Sequence, residues 1–167
     1  MRLIIVEDQL PVLKRIKKML EILSDDIELV MVHCNAKGKA EDFPPGEEGW
    51  YSITTESELY KICGEELKVC EGDHYLLDVT LFQESQVDKK FSDYISVKLA
   101  NYITNKGREN VEIKFYTYPR SISPTDFARE TKKWGKPIYR PKLEESDSEE
   151  NEAQNTFVEK IKEYCNV

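Results

Sequence analysis

The chain has 167 residues, of which 40% are hydrophobic, and its formal net charge is −8. This length suits a single domain with a substantial core, and no apolar stretch approaches the roughly 20 residues that a membrane span needs. The acidic balance disfavours a protein whose main task is to grip a nucleic-acid backbone, because such affinity rests largely on lysine and arginine.

The first third of the chain begins as alternating strand and helix patterns. Residues 1–6 predict a strand, and apolar residues at helical spacing predict a helix over residues 10–23. Residues 27–33 predict a second strand. Glycines, prolines and acidic residues then predict an inserted surface segment over about residues 35–55, with residues 50–54 as a candidate extra strand inside it.

The middle of the chain continues the alternation. Thr55 and Glu58 have the spacing of a capping box and predict the start of a helix that runs to about residue 69. Residues 74–79 predict the third strand, and an irregular segment follows it. Ser92 is the predicted N-cap of a helix that ends near residue 107, where a glycine stands.

The last third adds two more strands and two more helices. Residues 111–116 predict the fourth strand, residues 123–133 a helix that opens with proline, and residues 137–140 a short fifth strand. An acidic loop is predicted over about residues 144–155, ahead of an amphipathic C-terminal helix. Five strand–helix units in this order predict one α/β domain over residues 1–167, with a doubly wound parallel sheet of five strands.

The four cysteines are far apart and form no C-x-x-C pattern. This favours reduced, structural thiols and a cytoplasmic protein, since structural disulfides are rare in reducing compartments. A redox pair of Cys63 and Cys70 is the alternative.

Carboxylates follow two of the predicted buried strands, at the point where each strand ends. Glu7 and Asp8 come directly after the first strand, and Asp78 ends the third. In open parallel sheets ligands bind outside the carboxyl ends of the strands. Carboxylates that lie close together repel one another, and a hard cation such as Mg²⁺ usually offsets that repulsion. The alternative is that Glu7 and Asp8 only favour the start of the first helix electrostatically and that Asp78 is an ordinary loop residue.

Five positions in this order resemble the receiver domain of two-component response regulators. Glu7 and Asp8 match the acidic pair that holds Mg²⁺ in that family, and Asp78 matches the phosphoacceptor aspartate. Thr117 matches the hydroxyl residue that contacts the phosphoryl group, and Arg140, followed by proline, stands where the family has a Lys-Pro pair. The resemblance implies the flavodoxin-like receiver topology, here with insertions.

The resemblance also implies a function. It implies a stand-alone response regulator of two-component signal transduction, a phosphoprotein that accepts phosphate at Asp78 and switches protein–protein contacts. Mg²⁺ would be held by Glu7, Asp8, Asp78 and the backbone carbonyl of Thr80. The partners would be a sensor histidine kinase or phosphotransfer protein and a downstream protein, without direct contact to nucleic acid or membrane; a homodimer also stays open. The chemistry would be limited to phosphoryl acceptance and autodephosphorylation, rather than turnover of a separate substrate.

Two other hypotheses fit parts of the sequence. The family lysine is replaced by Arg140, which is not equivalent at a tight site, and this favours a pseudo-receiver that acts as a constitutive interaction module independent of phosphorylation. Separately, Asp78 with Glu112-x-Lys114 resembles the D…E-x-K pattern of metal-dependent nucleases, because Glu112 and Lys114 would share one face of a strand. The intervening helix and the net charge of −8 count against the nuclease.

Overall fold

Six parallel strands form the centre of the computed structural model of the protein. The structure describes residues 1–23, 25–35, 47–67, 73–84, 89–106, 111–117, 129, 132–140 and 147–167, of which residues 147–151 are described as backbone alone. The strands are β1 (Arg2–Glu7), β2 (Glu28–Cys34), β3 (Trp50–Ile53), β4 (His74–Asp78), β5 (Glu112–Thr117) and β6 (Ile138–Tyr139). Their spatial order is β3-β2-β1-β4-β5-β6.

The central strands are buried because their sequences are apolar on both faces. All five residues of β4 are buried, as are five of the six residues of β1. Continuous apolar runs of this kind are typical of strands covered by helices on both sides of a parallel sheet. This burial agrees with the position of β1 and β4 as the two middle strands of the sheet. The acidic residues lie at the carboxyl ends of these two strands.

The sheet has one strand more than the five that the sequence predicted. The additional strand is β3, which pairs in parallel with β2 in a register that sets Trp50 opposite Met31. It corresponds to the candidate strand over residues 50–54, and the edge of β2 supplies the hydrogen bonds that complete it. Without β3, the five predicted strands have the order 2-1-3-4-5, which is the flavodoxin-like order.

Helices cover both faces of the sheet. Within the described residues they are α1 (Leu10–Leu20), α2 (Glu56–Lys61), α3 (Ile95–Asn105) and α4 (Asp147–Cys165). The apolar sides of α1 and α4 pack in one cluster with alternate residues of β1, and those of α2 and α3 pack in the other. None of the helices in the described part of the chain is long and apolar enough to cross a membrane.

Helix α2 begins with the capping box that the sequence predicted. The amide of Glu58 donates to the Thr55 hydroxyl at 3.2 Å, and the Glu58 carboxylate accepts the amide of Thr55 at 3.3 Å. The helix then changes to a π-helical turn over Ile62–Glu66, where Gly64 lies under the ring of Tyr102 from α3. A side chain at that position would collide with the ring, so the glycine allows α2 and α3 to approach closely.

Two helix starts differ from the prediction. Helix α3 begins at Ile95 rather than after Ser92, which lies in a short 3₁₀ turn over Phe91–Asp93. Helix α4 begins at Asp147, so residues 147–155 of the predicted acidic loop are helical. Repulsion between like charges favours a loop, but negative charge near the N-terminus of a helix is electrostatically favourable, so an acidic sequence does not prevent a helix from starting there.

Some predictions fall partly or wholly outside the described residues. The helix predicted over residues 123–133 is represented only by residue 129 and by a 3₁₀ turn over Lys132–Trp134. Cys70 also lies outside. Cys34, Cys63 and Cys165 are free and buried, as expected of structural thiols.

Candidate metal centre

The candidate site lies where the strand order reverses. Strand β1 is flanked by β2 on one side and by β4 on the other, so the crevice between the carboxyl ends of β1 and β4 is a topological switch point. Glu7 ends β1, Asp8 follows it, and Asp78 ends β4. One carboxylate oxygen from each of the three residues lies within 4.8 Å of the others. The fold thus brings together the three carboxylates that the sequence placed at this edge.

Three hydrogen-bond donors fix the carboxylate of Glu7. Its Oε1 accepts the amides of Asp8 at 3.0 Å and Gln9 at 2.9 Å, and its Oε2 accepts the Tyr116 hydroxyl at 2.6 Å. The side chain is completely buried. Glu7 therefore stabilises the turn before α1 from inside the acidic cluster, while α1 itself has Gln9 at its N-cap and no side-chain cap.

Asp8 has one engaged oxygen and one open oxygen. Its Oδ2 accepts the amide of Gln83 at 2.7 Å, while its Oδ1 is buried and has no hydrogen-bond partner among the described residues. A buried acceptor without a partner costs about 1–3 kcal/mol, so an exception of this kind needs an explanation. A cation between Asp8 and Asp78 would supply that partner.

The loop after β4 contacts the site and contains two non-glycine residues with positive φ angles. Phe82 and Gln83 both have positive φ angles, 57° and 53°, which non-glycine residues adopt at a cost of about 1–3 kcal/mol. The bond from the Gln83 amide to Asp8 holds one side of the loop. On the other side, the Glu84 carboxylate accepts the amide of Ile95 at 3.2 Å and pairs with Lys89. The loop therefore connects the acidic cluster to the first residue of α3.

Burial dominates the electrostatics of the cluster. It raises the pKa of Glu7 to about 7, against the lowering effects of the Tyr116 hydroxyl and Arg140. It also raises the pKa of Asp78 well above its usual range, and the charges of Glu7 and Asp8 act in the same direction. Carboxyl groups perturbed in this way, in a cleft and beside one another, are typical of functional sites. A divalent cation would favour their ionised forms.

The other predicted site residues lie at the same edge of the sheet. Thr117 ends β5, one residue beyond the level of Asp78, and its carbonyl accepts the amide of Arg140 at 3.2 Å. The charge of Arg140 lowers the pKa of Asp78, and its Nε is buried without a hydrogen-bond partner in the described part of the chain. Thr80 lies half-buried in the bend after β4.

The nuclease hypothesis is wrong, because the structure separates its residues. Strands β4 and β5 are neighbours, but Glu112 pairs with His74 at the opposite end of β4 from Asp78. Four residues of strand correspond to about 13 Å. The ammonium group of Lys114 lies 5.3 Å from the centre of the Tyr164 ring, on the face covered by α4.

Tyr116 and Gln83 were missed by the sequence analysis, although both contact the acidic cluster. Tyr116 stands next to Thr117, and the alternation of side chains along a strand would have placed it on the opposite face from its neighbour. That pattern does not say which carboxylate its hydroxyl reaches. Gln83 acts through its backbone amide, so its residue type carries no signal.

The residues present fit a magnesium ion. Mg²⁺ is usually held by one or two carboxylates with several waters, and hard oxygen ligands suit it better than nitrogen or sulfur. Asp8 and Asp78 offer such oxygens, and the open Oδ1 of Asp8 is the one that lacks any other partner among the described residues.

No protein-family model and no curated protein matches the chain. Among solved structures, the chain is similar to a response regulator receiver protein from Dyadobacter fermentans, with 12% sequence identity and a TM-score of 0.42, over 93% of this chain and 97% of that chain. By its own strand order the chain has a flavodoxin-like architecture, and three carboxylates lie at its switch point.

Proposed function

We propose that the protein is a cytoplasmic, receiver-like signalling protein in which Asp78 accepts a phosphoryl group with the help of Mg²⁺. The observation that carries this proposal is the open Oδ1 of Asp8, buried beside Asp78 at the switch point. A buried carboxylate oxygen without a donor among the described residues is a place for a cation. A carboxylate next to a bound cation can act as a nucleophile toward a phosphoryl group.

The chemistry needs positioning and charge neutralisation. A carboxylate oxygen of Asp78 would form a bond to phosphorus, and the bond from phosphorus to the donor would break, with its electron pair leaving on the donor. Bound Mg²⁺ supplies neutralisation of phosphoryl charge. Asp8 and Asp78 would hold the ion, with Glu7 behind them and the carbonyl of Thr80 completing its shell.

Thr117 and Arg140 would act on the phosphoryl group itself. The Thr117 hydroxyl would donate a hydrogen bond to one phosphoryl oxygen. The Arg140 guanidinium is close enough to Asp78 to lower its pKa, and its Nε would donate to another oxygen. Arginine offers a broad, planar set of donors in contrast to the compact ammonium of lysine, so the geometry of this contact would differ from that of a lysine.

The proposed output is a change in protein contacts. The donor would be a sensor histidine kinase or a phosphotransfer protein, and the receiving partner another protein. The loop over Phe82–Glu84 supports this proposal, because it joins the acidic cluster to the first turn of α3 through Gln83 and Glu84. A change at Asp8 would thus reach the surface of α3.

Labelling by a small phosphodonor tests the proposal. The wild type, incubated with Mg²⁺ and radiolabelled acetyl phosphate, should take up label that is stable to acid and labile to base. Asp78→Asn should take up none, since an amide is not a nucleophile of this kind. Glu112→Gln is the matched control, because it removes an exposed carboxylate at the far end of the sheet and should leave labelling unchanged. Equal labelling of Asp78→Asn and wild type would contradict the proposal.

A pseudo-receiver is the second candidate, and one observation favours it. Burial and two neighbouring carboxylates raise the pKa of Asp78, which favours its protonated, non-nucleophilic form. The protein would then be a constitutive interaction module. Amide NMR with Mg²⁺ and beryllofluoride separates the two functions: shifts at Asp8, Asp78 and Thr117 that vanish in Asp78→Asn support the phosphoacceptor, and their absence supports the module.

A further inference from the structure

The Tyr116 hydroxyl reaches Glu7 from two strands away. Tyr116 lies on β5 opposite Asp78 on β4, and its hydroxyl passes the level of β4 to bond Glu7 on β1 at 2.6 Å. The ring is completely buried in the core cluster under α1 and α4. Packing therefore holds the hydroxyl in place before any ion arrives.

We propose that Tyr116 makes the metal centre selective for Mg²⁺ over Ca²⁺ by confining Glu7. This inference rests on the proposed metal centre. Both carboxylate oxygens of Glu7 accept hydrogen bonds from fixed donors: Oε1 from two backbone amides and Oε2 from the Tyr116 hydroxyl. A carboxylate held at both oxygens does not rotate to offer them together to an ion.

The two ions differ in what they require. Ca²⁺ takes six to eight oxygen ligands and often a bidentate carboxylate, whereas Mg²⁺ keeps several waters and needs few protein oxygens. With Glu7 confined and Oδ2 of Asp8 engaged by Gln83, the groups left for direct contact are Oδ1 of Asp8 and the carboxylate of Asp78, which also accepts the backbone amide of Val79. This small set suits Mg²⁺.

Removal of the hydroxyl should change the selectivity. In Tyr116→Phe, Oε2 of Glu7 loses its donor and becomes available to a larger ion. Titration calorimetry at constant ionic strength gives Kd for Mg²⁺ and for Ca²⁺ separately. The ratio of Kd for Ca²⁺ to Kd for Mg²⁺ should fall about fivefold, as expected for one hydrogen bond.

Two controls isolate the effect. Tyr75→Phe removes another buried hydroxyl, which donates to the Cys63 carbonyl at 2.8 Å in the opposite core cluster, and it should leave the ratio unchanged. In the Glu7→Gln background, Tyr116→Phe should no longer change the ratio, because the carboxylate through which it acts is gone. Far-UV circular dichroism confirms the fold of each variant.

Each outcome decides the inference. A ratio in Tyr116→Phe within twofold of wild type, or an equal shift in the Glu7→Gln background, would overturn it and leave the metal centre standing. A wild type that binds neither ion would overturn the metal centre together with the inference. If Tyr116→Phe does not fold, Glu7→Gln decides alone. An equal loss of affinity for Mg²⁺ and Ca²⁺ supports the confinement of Glu7, and a larger loss of affinity for Ca²⁺ overturns it.

Discussion

Glu7 shows that hydrogen bonds do not fully offset the burial of a charge. Three donors contact its carboxylate, and hydrogen bonds to charged groups contribute about 1.5–3 kcal/mol each. Removing a carboxylate from water costs several kcal/mol, and Asp8 adds repulsion. The pKa rises to about 7, so burial outweighs the donors.

A pH dependence of stability follows at this residue. The unfolded chain releases the Glu7 proton near pH 4.5, while the folded protein keeps it until about pH 7. The folded state therefore binds more protons between these values, and the free energy of unfolding falls as pH rises through this window, by roughly 3 kcal/mol from this carboxyl, and levels off above it. Denaturant titrations from pH 4 to 8 without divalent ions measure this.

Glu7→Gln is the control for that prediction. It removes the titrating group and should flatten the dependence relative to wild type, whatever the other carboxyls contribute. Asp78 acts in the same direction as Glu7, so part of the slope should persist. A wild type whose stability relative to Glu7→Gln rises between pH 5 and 7 would contradict the argument.

At the scale of elements, the start of α3 depends on a residue outside the helix. Tyr94 occupies the N-cap position and makes no side-chain cap. The carboxylate of Glu84 takes that role by accepting the amide of Ile95, and it is almost completely buried. A negative charge near a helix N-terminus is also favourable toward the helix dipole. The loop and the helix therefore stabilise each other.

Glu84→Gln tests this connection. Loss of the charge should lower the free energy of unfolding by about 1.5 kcal/mol, because the hydrogen bonds and the pair with Lys89 weaken. It should also speed hydrogen exchange of the Ile95 amide. Glu21→Gln, at an exposed position after α1, should stay within about 0.5 kcal/mol of wild type. An unchanged stability in Glu84→Gln would show that α3 does not need this cap.

At the scale of the whole molecule, the C-terminal helix closes one face of the sheet. Its buried residues lie in the same cluster as the apolar side of α1, alternate residues of β1, and Tyr116. The Tyr164 hydroxyl donates to the carbonyl of Tyr75 on β4 at 3.0 Å. Helix α4 thus packs in the same cluster as the Tyr116 ring, whose hydroxyl bonds Glu7. This packing links the C-terminal helix to the site at the end of β1.

Truncation of Phe157 tests how much this helix contributes. Phe157 is 1% exposed, and Phe157→Ala should lower the free energy of unfolding by about 3–5 kcal/mol through lost burial and a cavity. The neighbouring Val158 is only partly buried, so Val158→Ala should cost much less. Denaturant unfolding measures both. Similar losses in the two variants would mean that α4 does not pack as described.

The parts of the fold that the sequence predicted are those with a local signal. The runs at residues 3–6 and 75–77 are apolar and end at acids, and both are central strands. The capping box at Thr55 is local too, and it is present. Strand β3 was only a candidate over residues 50–54, because an edge strand is completed by its neighbour, and the structure confirms it. The start of α3 was predicted wrongly, because α3 is capped by Glu84, which lies eleven residues before Ile95.

The sequence by itself determined that carboxylates follow buried strands, because strand periodicity and burial are properties of short segments. It therefore placed Glu7, Asp8 and Asp78 at one edge of a parallel sheet. Only the tertiary structure decided how these carboxylates are held. The bond from Tyr116 to Glu7 joins residues 109 apart, and that from Gln83 to Asp8 joins residues 75 apart. Such partners depend on strand order, register and loop backbone, which arise when the whole chain packs.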